Sequence, residues 1–167
     1  MSEPARELEI QAQEAAPAEA PSRWVTVHLA GETYGIEVMN VQEVLRVPEI
    51  APVPGAPDFV LGIINLRGHV VTVIDTRRRF GLPPAEHDEQ TRIVIVEVDG
   101  QVFGMVVDSV AEVVDIRRSD IDTAPMVQGE EAAPYLQGVA HLDGRLLILI
   151  DLRRIIEDDA AGGGLGF

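Results

Sequence analysis

The sequence predicts an all-β fold with short helices, built as two small barrels around one shared hydrophobic core. Three observations lead there. The chain repeats itself in tandem, its apolar residues recur with a period of two, and turn residues punctuate the strands at intervals of roughly 8–12 residues. Trp24–Leu45 aligns with Ile93–Val114 at a constant offset of 69, and Phe59–Arg78 aligns with Tyr135–Arg154 at an offset of 76. Gly31 matches Gly100, Tyr34 matches Phe103, Gly62 matches Gly138 and Asp75 matches Asp151. The order is therefore A–B–A–B. A catalytic centre rarely needs each part twice, whereas a protein that touches several partners gains from two similar surfaces.

Residues 1–22 are rich in Ala, Glu and Pro and read as a disordered acidic leader. Residues 23–157 form the folded part, with repeats over about 23–88 and 91–157, and 158–167 read as a flexible tail. Spacing alone leaves open whether each barrel is a contiguous A–B pair or exchanges strands with the other repeat.

In the first A unit, Val25, Val27 and Leu29 alternate with Trp24, Thr26 and His28. In the second, Val94, Val96 and Val98 alternate with residues that include Glu97. One face of these strands is expected to be buried and the other at least partly wet. Turns at Gly31–Glu32 and Asp99–Gln101 lead into strands at Tyr34–Val38 and Val102–Val107. In the B units, Val70–Ile74 and Leu146–Ile150 are apolar on both faces, which marks strands covered from two sides, where the barrels meet. Each B unit carries Gly-x-x-x-Leu-x-Gly, a strand, a tight turn and a second strand, and ends in an aspartate followed by arginines. Asp75 and Asp151 are placed to cap short helices, the first of which Pro83 and Pro84 would stop. Asn40-Val-Gln-Glu43 and Ser109-Val-Ala-Glu112 have the form of a capping box, which makes Asn40 and Ser109 further cap candidates.

Apolar residues are 46% of the chain and aromatics only 4%, so aliphatic side chains must fill the core. Cysteine is absent, which removes disulfides, thiolate nucleophiles and cysteine metal sites. The net charge of −15, with arginine the only strong base, repels phosphate backbones and argues against nucleic-acid binding. No apolar run reaches the roughly 18 residues of a membrane span, and the N-terminus lacks signal-peptide features. A soluble cytoplasmic protein with no direct membrane insertion is expected.

Chemistry is sparse. His28, His69, His87 and His141 have no metal-ligand spacing and read as surface residues, so no metal or cofactor is expected. A hydrolase using Asp75 or Asp151 is the enzyme alternative, but the repeat relates the two, and a shared capping role explains both. One asymmetry stands out: Asn65-Leu-Arg-Gly68 corresponds to His141-Leu-Asp-Gly144, so Arg67 on one hairpin has become Asp143 on the other. Two similar modules thereby acquire different surfaces.

Tyr34–Val44 (YGIEVMNVQEV) and Gly62–Gly68 (GIINLRG), followed by Val-Ile-Asp75, strongly resemble the CheW family of bacterial chemotaxis coupling proteins. The likeness continues through Phe103–Val110, Tyr135–Gly138 and Leu147–Asp151 and covers about residues 22–157. The resemblance implies two SH3-like five-stranded β-barrels and a non-catalytic adaptor without cofactors. Its implied partners are the cytoplasmic tips of methyl-accepting chemoreceptors and the regulatory domain of a CheA-type histidine kinase, which has the same fold. It also implies recruitment to chemoreceptor arrays. The positions matching the family's receptor groove are Val41, Glu43, Gly62, Asn65 and Arg67. Glu43 and Arg67, opposite in sign, are placed to pair with each other. The alternatives are a kinase-binding array or ring component that does not contact receptors, and service in a non-swimming chemosensory pathway.

Overall fold

A computed structural model describes residues 21–122 and 135–155. Most of the acidic leader and the whole tail lie outside the described residues. Eleven strands are described: β1 (Ser22–Leu29), β2 (Glu32–Glu37), β3 (Val41–Arg46), β4 (Val60–Leu66), β5 (His69–Asp75), β6 (Arg92–Val98), β7 (Gln101–Val107), β8 (Ser109–Ile116), β9 (Ile121–Asp122), β10 (Leu136–Leu142) and β11 (Arg145–Ile150). A one-turn helix, α1 (Thr76–Arg79), follows β5, and residues 152–155 are helical after β11. The first strand begins at Ser22, one residue inside the expected leader, because the Ser22 hydroxyl donates to the Ile116 carbonyl of β8.

The strands form two sheets, ordered β8-β1-β2-β11-β10-β9 and β3-β6-β7-β5-β4. The repeats therefore exchange strands. Hairpin β1–β2 of the first repeat sits between β8 and β11 of the second, while hairpin β6–β7 of the second sits between β3 and β5 of the first. The edge strands of each sheet are consecutive in sequence, which is consistent with closure into a barrel. β8 runs through a 3-10 turn into β9, and the chain beyond β3 reaches back to β4, where Ala51 and Ile63 exchange backbone hydrogen bonds of 2.9 Å. The four hairpin turns use a non-glycine residue at positive φ followed by glycine, the two-residue geometry that matches strand twist.

Among the described residues, burial falls into three clusters. Val25, Val27 and Leu29 of β1, with Val94, Val96 and Val98 of β6, form a core between the sheets together with Tyr34, Ile74, Phe103 and Ile150. Trp24 packs inside the six-stranded sheet with Ile116, Ala140, Leu147 and Leu149. Ile93 and Ile95 pack inside the five-stranded sheet with Ile64, Val71, Val73 and Val106. The wet face expected of the A strands is thus mostly buried: Trp24 is 1% and Thr26 3% exposed, and only Glu97 and the half-buried His28 keep the predicted character. The reason is topological, since strand exchange puts both A hairpins in the middle of a sheet and against the partner sheet. The B strands are covered on both sides only toward their C-terminal ends. Val70 (68% exposed) and Leu146 (51%) stand in the open, whereas Ile74 and Ile150 reach the shared core.

Repeat-equivalent residues that touch each other mark the pseudo-twofold axis. Arg79 Nη2 donates to the Ile155 carbonyl at 2.6 Å, and these two positions are related by the 76-residue offset. The Arg79 guanidinium lies 4.0 Å from the Phe59 ring centre and 5.0 Å from that of Tyr135, itself an equivalent pair. Phe80 stacks on Tyr135 beside them. A guanidinium between two rings there adds cation–π attraction to the packing.

At Asp108 the chain passes from β7 in one sheet to β8 in the other, and a polar clamp holds the passage. Arg77 donates from Nε to Oδ1 (2.9 Å) and from Nη2 to Oδ2 (2.6 Å), while the Ala30 amide of the β1–β2 turn donates to Oδ2 (2.9 Å). Arg77 Nη1 donates to Pro83 O (2.7 Å), so one side chain ties three segments together. The hydrogen bond from Arg77, aided by the Ala30 amide, holds the Asp108 carboxyl below its ordinary pKa despite partial burial. A folded value below the unfolded one gives stabilisation that is complete above the unfolded value and lost as pH falls through the folded one. Asp108→Asn is expected to cost about 1–2 kcal/mol at neutral pH, discounted for partial exposure. It should also flatten the loss of stability below about pH 4. Urea unfolding at neutral and acid pH measures both effects, and an unchanged pH dependence would contradict the assignment.

Candidate functional site

The five-stranded sheet leaves a seam between β3 and the β4–β5 turn, and the candidate site lies across it. Asn65 shapes the turn, its Oδ1 accepting the Gly68 amide at 2.8 Å. Arg67 occupies the first turn position at φ 52°, a left-handed conformation that costs a side-chain-bearing residue roughly 1–2 kcal/mol. This turn aims Arg67 at β3, where Nη1 and Nη2 both donate to Glu43 Oε2 at 2.7 Å. The expected pairing is present. Glu43 is the more sheltered partner, with its side chain 25% exposed against 67% for Arg67.

A groove of about 570 Å³ opens beside this pair. Glu43 and Arg67 supply its charges, Leu66, Val70 and Val102 its apolar walls, and Gln42 and His69 further polar groups. The other positions matched to the family groove serve differently. Gly62 is buried in β4 at φ 150°, and a Cβ there would lie 2.2 Å from the Ala51 carbonyl oxygen, so this glycine lets the chain after β3 bridge to β4. Val41 does not line the groove. A bulge in β3 between Val41 and Glu43 breaks the alternation, so Val41 packs toward the intersheet core while Leu45 packs inside the five-stranded sheet. Strict period two would have put Val41, Glu43 and Leu45 on one face.

The apolar walls escaped sequence reasoning for identifiable reasons. Val70 belongs to a run that reads as doubly buried. Val102 comes from the second repeat and reaches the groove only through strand exchange. The equivalence between repeats does carry one usable signal: Glu112, the counterpart of Glu43, pairs with Arg145 at 3.7 Å across the corresponding seam. The charge lost at Asp143 is recovered two residues later, from the first position of β11.

The cap candidates divide. Asp75 Oδ1 accepts the Arg77 and Arg78 amides at 3.1 and 3.4 Å, and Arg78 Nε lies 3.5 Å from its Oδ2. Asp151 Oδ1 accepts the Arg153 amide at 3.2 Å. Asn40 and Ser109 are not helix caps, because Asn40 immediately precedes β3 and Ser109 opens β8, and their side chains bind neighbouring strands instead. Asn40 Nδ2 donates to the Glu97 carbonyl (2.9 Å), and Ser109 Oγ shares a 2.8 Å hydrogen bond with His28 Nδ1. An Asn/Ser-x-x-Glu pattern cannot form a capping box where the next residues alternate as a strand. Among the described residues, no group of three or more His, Cys, Asp or Glu side chains is arranged to hold a metal, and no helix is long and apolar enough to cross a membrane.

Comparison with known proteins identifies the family of this fold. The family model for the CheW-like domain matches residues 23–160. The chemotaxis protein CheW of Klebsiella aerogenes is 34% identical over 131 residues, covering 78% of this chain and 79% of that protein. Protein FrzA of Myxococcus xanthus is 34% identical over 110 residues, covering 66% and 68%. The crystal structure of the scaffolding protein TtCheW from Thermoanaerobacter tengcongensis superposes with a TM-score of 0.77 at 37% identity, covering 82% of this chain and 93% of that one. The chain belongs to the CheW-like family.

Proposed function

We propose that this chain is a non-catalytic adaptor that couples the cytoplasmic tips of methyl-accepting chemoreceptors to a CheA-type histidine kinase. The observation that carries the reading is the groove at the Glu43–Arg67 seam, apolar on its walls and charged at its mouth. A receptor tip is a helical hairpin, and an amphipathic helix seats its apolar face in such a groove through residues spaced one turn apart. Leu66, Val70 and Val102 supply the complementary surface. The paired charges fix the register of the helix and the rate of encounter more than the affinity. The kinase is reached through its regulatory domain, a double-barrel relative of this fold, by a second face distinct from the groove. The protein acts in the cytoplasm and joins the array through these contacts. Membership of a family whose named relatives include chemotaxis proteins and a scaffolding protein supports the reading, as does the absorption of the Asp75 carboxylate by backbone amides and Arg78.

Titration calorimetry against a receptor-tip fragment and, separately, the kinase regulatory domain tests the proposal. Wild type should bind both with micromolar affinity. Arg67→Glu should weaken the receptor arm at least tenfold, about 1.4 kcal/mol, and leave the kinase arm unchanged. Binding to the kinase domain alone would make the protein an array component that does not contact receptors, and binding to neither would refute the adaptor reading.

The charge-reversed double variant Glu43→Arg/Arg67→Glu separates a seam effect from a direct contact. Each single reversal puts like charges across the seam and should cost about 1 kcal/mol or less of stability, as for an exposed pair. The double variant should recover that stability but not receptor affinity. Recovery of both would mean that the pair acts only by closing the seam.

A further inference from the structure

We propose that a second copy of this chain can supply the missing half of each sheet, giving a strand-swapped dimer with two complete grooves. Four strand pairings join the repeats: β1–β8, β2–β11, β3–β6 and β5–β7. Among the described strands, each repeat alone keeps two hairpins, with β9 added in the second, while β3 and β8 find their strand partners in the other repeat and each A hairpin would expose both apolar faces. The repeats hold each other as two subunits would. A single connection between Phe80 and Arg92 makes them one molecule.

That connection is built as a hinge. Residues 83–90 are exposed without exception, and its hydrogen bonds lie at its ends, from Arg77 Nη1 to Pro83 O at 2.7 Å and between Asp88 and Thr91. Pro83–Pro84 restrict its first end and the hydrogen-bonded Asp88–Thr91 turn its last, with the exposed residues 84–87 between them as the pivot. When the connection runs to a neighbouring chain, every interstrand pairing and core contact is remade between chains. The balance then rests on the effective concentration of the tethered half, on the order of millimolar for a short flexible linker and lower for a stiff one. The groove draws its walls from both repeats. Gln42, Glu43, Arg67 and Val70 come from the first repeat and Gly100 and Val102 from the second, so each groove of the dimer has walls from two chains.

The test replaces residues 84–89 with a six-residue protease recognition sequence in the full chain. The protein is refolded from denaturant at micromolar and at near-millimolar concentration, and its mass is measured by light scattering before and after cleavage. Refolding at high concentration should give a dimer that persists on dilution, because exchange requires the inter-repeat pairings to break. Cleavage should halve its mass with unchanged far-ultraviolet circular dichroism, since the cut releases two intact double-sheet particles. Cleaved monomer should likewise remain one folded particle. Monomer alone at every refolding concentration, a dimer whose mass survives cleavage, or unfolding on cleavage would each overturn the proposal. The readout is mass, so it stands or falls separately from partner binding.

Discussion

The structure depends on the two passages at which the chain leaves one sheet for the other. Between β2 and β3, and again between β7 and β8, the polypeptide deposits a hairpin in one sheet and the remaining strands of the same repeat in the other. Both A hairpins become interior strands with apolar residues on each face, Trp24 and Val25 in one and Ile93 and Val94 in the other. Three hydrophobic clusters then share the same few strands. Losing one hairpin would open the intersheet core and a sheet interior together, a physical basis for cooperative folding of the duplicated chain.

The groove follows from the same constraint. A five-stranded sheet built this way has a seam where β3 fails to pair directly with β4, and the chain closes part of it by backbone bonds at Ala51 and Ile63. The remainder is spanned by side chains. Exposed ion pairs contribute about 0–1 kcal/mol, so the Glu43–Arg67 bridge is a weak fastening. Its geometry matters more, because it holds an arginine in a left-handed turn with its guanidinium fixed beside an apolar wall. The six-stranded sheet solves the problem with Glu112 and Arg145, whose 3.7 Å contact leaves both side chains more than half exposed. The acid is repeat-equivalent, but the base is drawn from a different position. This placement makes the two seams dissimilar surfaces on similar frames.

Much of this was legible in the sequence. The duplication, the turn glycines and the period of two are local properties, and they specify the strands and hairpins. The opposite charges of Glu43 and Arg67 made their pairing foreseeable. Strand exchange was not foreseeable, because identical A–B order permits either connectivity and the choice is made by long-range packing. The misreading of Trp24 and Thr26 as wet, and the absence of Val102 from the expected groove, both descend from that one undetermined choice. Val41 turns away from Glu43 for a different reason: a bulge has no signature in a valine–glutamine–glutamate stretch, and one inserted residue turns a side chain to the opposite face. The capping-box pattern at Asn40 and Ser109 failed because four residues cannot distinguish a helix start from the strand that follows a sheet-to-sheet passage.

The two passages differ in a way that bears on how an adaptor keeps its faces in fixed relation. At one, Asp108 binds Arg77 and the Ala30 amide, and the Arg77 side chain is drawn in to 18% exposure. At the other, the repeat places Met39 where Asp108 would be, Asp99 where Ala30 would be and Arg153 where Arg77 would be. Met39 is 89% exposed, and Arg153, now paired only across the surface with Asp99 at 3.2 Å, is 67% exposed. A cavity of about 170 Å³ bordered by Glu37, Asn40, Asp99 and Asp151 occupies that corner. One side of the intersheet junction is therefore clamped by a sheltered, charge-assisted network, and the other is held by the apolar core and an exposed pair that salt screens readily. A duplicated frame fastened equally at both corners would have no preferred mode of yielding. Fastened at one, it has a sheltered corner at Asp108 and a solvent-exposed one at Met39, and acid or salt acts on the two unequally.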